Sequence, residues 1–183
     1  MPRRRSTGLL AGVLSLLIVL ATPWLAAGST RAAASASPAS PASPASPAGR
    51  GYAVHPSFEA RVITLTNRRR ERTGCRPLRL SLALQAAARS HSGAMARATT
   101  MAHELPGELG LVRRVVQAGY TPWRRLAENL GSGFVSPRGV VRAWMRSAGH
   151  RRNLLDCRLR EVGVGVVRAD SGQLWWTQDF GRR

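Results

Sequence analysis

Proline recurs at every third position from Pro38 to Pro47, inside the repeat SPASPASPASPA at residues 37–48. This repeat limits what the chain can fold into more sharply than any other feature. Proline fixes φ and has no N–H to donate, so the stretch favours an extended polyproline II spacer. At about 3.1 Å per residue it reaches roughly 37 Å. The folded part therefore starts close to Tyr52, with residues 35–54 read as linker and 55–183 as the domain. About 130 residues suffice for one hydrophobic core.

The segment before the spacer, residues 1–34, has the anatomy of a signal peptide. Arg3, Arg4 and Arg5 form a positive start, Leu9 to Ala21 is apolar and uncharged, and small residues follow at 26–29 and 32–34. The apolar run of about 13 residues falls short of the roughly 20 that span a bilayer. Membrane attachment would require the leader to stay uncleaved, with the run extended through Trp24 and Leu25. The expected location is thus outside the cytoplasm, secreted or held at the cell envelope.

The 28 basic residues are all arginine, and the net charge is +19. Loss of residues 1–34 leaves 24 arginines against 9 acids, a net +15. Such a surface is drawn to polyanions. Cell-envelope polyanions, anionic lipid or an exported protein are the expected partners. No nucleic-acid motif accompanies the charge, so nucleic acid is not expected. The arginines at 68–70, 113–114, 124–125 and 151–152 read either as a solvated coat or as an envelope-binding surface. No phosphate-binding GxxxxGK[ST] loop occurs. Two cysteines exclude a four-cysteine zinc site. In an exported chain they most simply pair, so Cys75–Cys157 is the expected disulfide.

Periodicity divides the domain into helices first and a hairpin last. Phe58, Val62 and Leu65 recur at helical spacing, and the helix they define should end near Gly74. Leu80, Leu84, Ala88, His91 and Met95 form a second stripe, with Ser81 as N-cap. A shorter helix is expected over 109–118, closed by Gly119. Ser136–Pro137 opens another, with Val140, Val141, Trp144 and Met145 buried and Gly149 at its end. The period then changes to two: Val162, Val164 and Val166 alternate with Gly163, Gly165 and Val167. Asp170–Ser171–Gly172 marks a turn before a strand over 174–180. This order implies an α+β domain.

Three residues carry the chemical interest. Glu128 is flanked by leucine and alanine, so partial burial and a polar partner are expected. His103 follows the second helix, and His150 follows Gly149. Brought together, the imidazoles could ligate a divalent cation, with Glu128 as third ligand or as the group that orients them. The same cluster could do acid–base work. His91 lies on an apolar stripe and reads as a satisfied core histidine. His55 lies in the linker, and Trp123 is a candidate cleft residue.

Seven segments in order resemble the CAP superfamily of cysteine-rich secretory, antigen 5 and pathogenesis-related proteins, in its secreted bacterial SCP-like branch. They are Asn67 to Gly74, Pro77 to Ala88, His91 to His103, Ala118 to Tyr120, Glu128 to Leu130, Trp144 to Leu155 with Val162 to Gly165, and Trp175 to Gly181. The resemblance implies an α-β-α sandwich with a small antiparallel sheet between helical layers. It also implies a cleft of two histidines and two acids that binds a divalent cation, often zinc, in some members; for this chain the candidate ion is zinc, magnesium or calcium. His103, Glu128 and His150 match three of the four. The second acid is missing, because Met145–Arg146–Ser147 follows Trp144; Glu161 and Asp156 are the available substitutes. No residue is firmly catalytic. The expected function is a non-enzymatic binding module. The alternatives are a metal-assisted hydrolase using His103, Glu128 and His150, and a carrier of small apolar ligands such as lipid or sterol.

Overall fold

A computed structural model describes residues 52–183. The expected signal peptide and the proline spacer lie outside the described residues. The chain runs β1 (Tyr52–Val54), α1 (Pro56–Glu71), β2 (Arg79–Leu80), α2 (Leu82–Ala98), α3 (Leu111–Gln117), β3 (Arg125–Ser132), α4 (Pro137–Arg146), α5 (Ala148–Leu154), β4 (Glu161–Ala169) and β5 (Leu174–Arg182). The sheet order is β1-β4-β5-β3, with all three pairings antiparallel and β2 added parallel to β4.

The alternation in β4 builds the layers. Val162, Val164 and Val166 are fully buried on one face, with Val62 of α1, Val140, Val141 and Trp144 of α4, and Leu154 of α5. Trp176 and Phe180 of β5 join them. Gly163 and Gly165 point the other way, onto α2. A Cβ on Gly163 would overlap backbone atoms of Leu84 and Gln85, and one on Gly165 would overlap the carbonyl of Ala88. The helix backbone therefore rests directly on the strand, a contact that only glycine permits. Met95, Leu105, Leu130, Val167 and Trp175 close that second face. The result is the expected α+β sandwich of helix, sheet and helix.

Local signals account for several element ends. Ser81 accepts a hydrogen bond from the Leu84 N–H and Ser136 from the Gly139 N–H, each as an N-cap. Gly119, at φ +87°, ends the α3 region. Two expectations are corrected. Leu80 does not begin the α2 stripe; it lies in β2, half exposed, because Ser81 caps the helix after it. Gly149 does not end α4. The helix breaks at Ser147, whose extended backbone restarts the chain as α5, and Gly149 and His150 lie inside α5. The edge strand β3 has no clean alternation in its sequence, RLAENLGS, to announce it.

Cys75 and Cys157 form a disulfide across a separation of 82 residues. Closing a loop of that size is worth roughly 4 kcal/mol in the chain-entropy model. The bond ties the end of α1 to the segment entering β4. Arg70 reinforces the junction from inside. It is fully buried and donates to the carbonyls of Arg76, Leu154, Asp156 and Leu159. This corrects its reading as part of the solvated coat. Glu59 plays the matching part at the other end of α1: fully buried, it accepts from Gln85, Arg89 and the Val166 N–H.

The α2–β4 contact predicts a contrast between two glycines. Gly165→Ala should destabilise the domain by about 3 kcal/mol or more, since helix and strand backbones must separate. Gly149→Ala meets nothing within 4 Å and should be neutral or stabilising by up to about 1 kcal/mol, from helix propensity alone. Denaturant unfolding of both variants measures the difference.

Candidate functional site

Glu128 sits on β3 with its side chain toward α2, directly across from Asp179 on β5. Both are buried, and Asp179 is completely so. A buried carboxylate must find donors. Glu128 finds two. Oε1 lies 2.7 Å from Nδ1 of His103, and Oε2 lies 2.5 Å from Nη2 of Arg114. Arg114 is itself only 5% exposed. Its other terminal nitrogen donates to the carbonyls of His103 and Leu109 at 3.1 and 2.8 Å. One guanidinium therefore neutralises the sheet carboxylate and pins the loop that carries His103.

The same loop is tied down a second time. Glu108 stands 2.8 and 2.9 Å from Nδ1 of His91, through its two oxygens. His91 is fully buried on α2, as expected of a core histidine, and Glu108 is its partner. Its Nε2 has no hydrogen-bond partner and lies 4.0 Å from Glu128 Oε2. Because a carboxylate only accepts, Nδ1 carries the proton in both His91 and His103. His103 thus turns Nε2 outward, on a side chain 65% exposed. In this geometry Glu128 orients an imidazole.

His150 is half-buried on α5, and no hydrogen bond joins its ring to Glu128. Burial, and then the nearby His103, hold its imidazole below its usual pKa. Its backbone carbonyl accepts from Asn129, and Asn153 bridges the Glu128 carbonyl and the Asn129 side chain. The structure thus joins His103 to Glu128 directly and brings His150 near His103. Among the described residues, no three His, Cys, Asp or Glu side chains are grouped to hold a metal ion. Both Glu128 oxygens already have donors. In this arrangement Glu128 has the place of the group that orients His103, and each of its oxygens keeps a further lone pair. Asp156 is engaged elsewhere by Arg125 and Arg158, and Glu161 accepts from Tyr120, so neither supplies the missing acid. Trp123 is 39% exposed on the segment before β3.

Sequence reasoning missed Arg114 and Asp179. Beside Arg113, Arg114 reads as part of the coat, but Leu111, Arg114, Val115 and Ala118 fall at i, i+3, i+4 and i+7, one helix face. Asp179 is the single acid in the long buried run of β5. Burial pushes its pKa well above the usual carboxylate range, and the charge of Glu128 pushes it further; Arg114 acts against both. As a carboxylate Asp179 finds no donor, but once protonated it can donate to the neighbouring Glu128. A neutral, protonated Asp179 is the form this environment favours.

A raised native pKa on an acid means that the folded chain keeps a proton the unfolded chain releases above about pH 4. Stability attributable to Asp179 is then present at low pH and declines as pH rises toward the native value. Asp179→Asn removes that dependence. Relative to wild type, the variant should gain stability as pH rises above about 4, by at most about 1.4 kcal/mol per unit. Urea unfolding at several pH values measures this; a pH-independent difference would contradict it.

Comparisons with known proteins agree with the fold and the order of the motifs. The model of the cysteine-rich secretory protein (CAP) family matches residues 63–180. A Bacillus subtilis protein, the uncharacterized YkwD, is 32% identical over 126 residues, covering 69% of this chain and 48% of the relative. The uncharacterized membrane protein YlbC of the same organism is 26% identical, covering 71% and 36%. The chain thus spans half or less of these relatives' lengths. Among solved structures, an extracellular SCP-domain protein of Bacillus anthracis matches with a TM-score of 0.63 at 27% identity, covering 69% of this chain and 41% of that one. An outer surface protein of Borrelia burgdorferi shares the fold, with a TM-score of 0.61 at 20% identity, covering 67% and 90%. No helix among the described residues is long and apolar enough to cross a membrane. With the family model matched over most of the folded domain, the chain belongs to the CAP, or cysteine-rich secretory protein, family.

Proposed function

We propose that the chain is an exported, non-enzymatic binding module that works at the cell envelope. The engagement of both Glu128 oxygens by Arg114 and His103 carries this reading. A hydrolase built on His103, Glu128 and His150 would need a carboxylate free to polarise water or hold an ion. Here that carboxylate has the guanidinium at 2.5 Å and the imidazole at 2.7 Å. Its work is to hold the loop that presents His103. The strongly basic exterior supports attachment to anionic envelope material, and the extracellular and surface proteins that share the fold support the same location.

Two measurements test the reading together. Calorimetric titration of the metal-stripped protein with Zn²⁺, Mg²⁺ and Ca²⁺ should give no one-to-one site that His103→Ala/His150→Ala removes. Isolated envelopes should retain the protein, and retention should weaken as salt rises. One-to-one metal binding lost in the variant, together with hydrolysis abolished by Glu128→Gln, would replace this function with an enzymatic one.

A further inference from the structure

The packing of α1 against α4 leaves a groove of about 260 Å³ lined by Leu65, Arg68, Arg69, Arg72, Arg138, Val141 and Arg142. The spacing shows two faces turned toward each other. Leu65, Arg68, Arg69 and Arg72 fall at i, i+3, i+4 and i+7 of α1 and its C-cap, and Arg138, Val141 and Arg142 at i, i+3 and i+4 of α4. The floor is apolar and both walls are guanidinium. All five arginines are exposed, and no carboxylate lines the groove.

Elsewhere the chain pairs its arginines where acids allow. Glu59, Glu128 and Asp156 each hold one or more. Among the described residues, none of the five groove arginines has an ion-pair or side-chain hydrogen-bond partner. Helix electrostatics explains one wall only. Arg68 and Arg69 lie in the last turn of α1, where a cation is favoured. Arg138 is the second residue of α4, where the helix dipole favours an anion instead. Five like charges facing across a narrow groove, one of them at the wrong end of a helix, cost stability unless an anion bridges them.

We propose that this groove binds a linear phosphate polymer, with the guanidinium groups of both walls clamping successive phosphates. The inference rests on the envelope-binding reading and gives it a location and a ligand chemistry. Arginine suits the task because its planar fork donates in pairs to phosphate oxygens. A trough between two helices matches a single extended chain better than it matches a flat bilayer. The guanidinium charge persists across the physiological range, so binding is flat with pH.

Binding of the full chain to inorganic polyphosphate of defined length, measured across a range of salt, tests the proposal. Five phosphate contacts predict a slope of log K against log salt of about −3.5. Arg69→Gln/Arg142→Gln should weaken binding roughly tenfold or more and reduce the slope by about 1.4. The charge-matched Arg124→Gln/Arg152→Gln, outside the groove, should change affinity less than about twofold. All four residues are exposed, so unchanged thermal unfolding confirms that both variants fold. Equal weakening in the two variants would overturn the groove and leave a diffuse basic coat. Retention on phosphatidylglycerol vesicles without polyphosphate binding would overturn the polymer in favour of a membrane surface. Wild-type protein that is not retained on envelopes at all defeats the broader reading; envelope retention equal in both variants defeats only the groove.

Discussion

A carboxylate buried in a sheet is the constraint around which this domain is arranged. Glu128 cannot be left without donors at that depth, and the chain answers it with a nearly buried guanidinium from α3 and an imidazole from the preceding loop. Because Arg114 also holds two carbonyls of that loop, the pair fixes more than charge. It sets where His103 stands and which of its nitrogens faces solvent. The Glu108–His91 contact ties the loop to α2 in the same way. Glu128, the acid of the family motif, thus also holds a loop in place.

The pair can form only because α2 lies flat on the sheet. Gly163 and Gly165 remove the side chains that would hold the helix away, and the backbone contact brings His91 within 4.0 Å of Glu128. The opposite face is built on different physics. There Val162, Val164, Val166, Trp144 and Trp176 give an ordinary close-packed core. One strand thus serves an apolar layer and a tightly apposed polar layer, through alternating valine and glycine.

Much of this is legible in the sequence. The helical stripes, the serine caps, the terminal hairpin, the disulfide and the burial of Glu128 all follow from local patterns. The two misread arginines share a cause: residue type is a poor guide without its position on the helix. Arg70 and Arg114 look like surface arginines in a chain rich in them. Each lies on a buried stripe and spends its charge on backbone carbonyls, with Arg114 adding a carboxylate. β3 stays hidden because an edge strand that turns a glutamate and two leucines inward, and ends in glycine and serine, has no simple alternation. The extra break at Ser147 comes from a backbone turn that no Gly or Pro announces.

The account depends on Arg114 and Glu128 acting as one unit. A double-mutant cycle by denaturant unfolding measures that directly, using Arg114→Met, Glu128→Gln and the double variant. Each single change strands a buried partner and should cost about 3 kcal/mol, whereas the double change should cost far less than their sum, leaving a coupling energy of about 2 kcal/mol or more. Single-variant costs that simply add, within about 0.5 kcal/mol, would show that the two side chains do not depend on each other, and would return Glu128 to the list of groups free for ligand or catalysis.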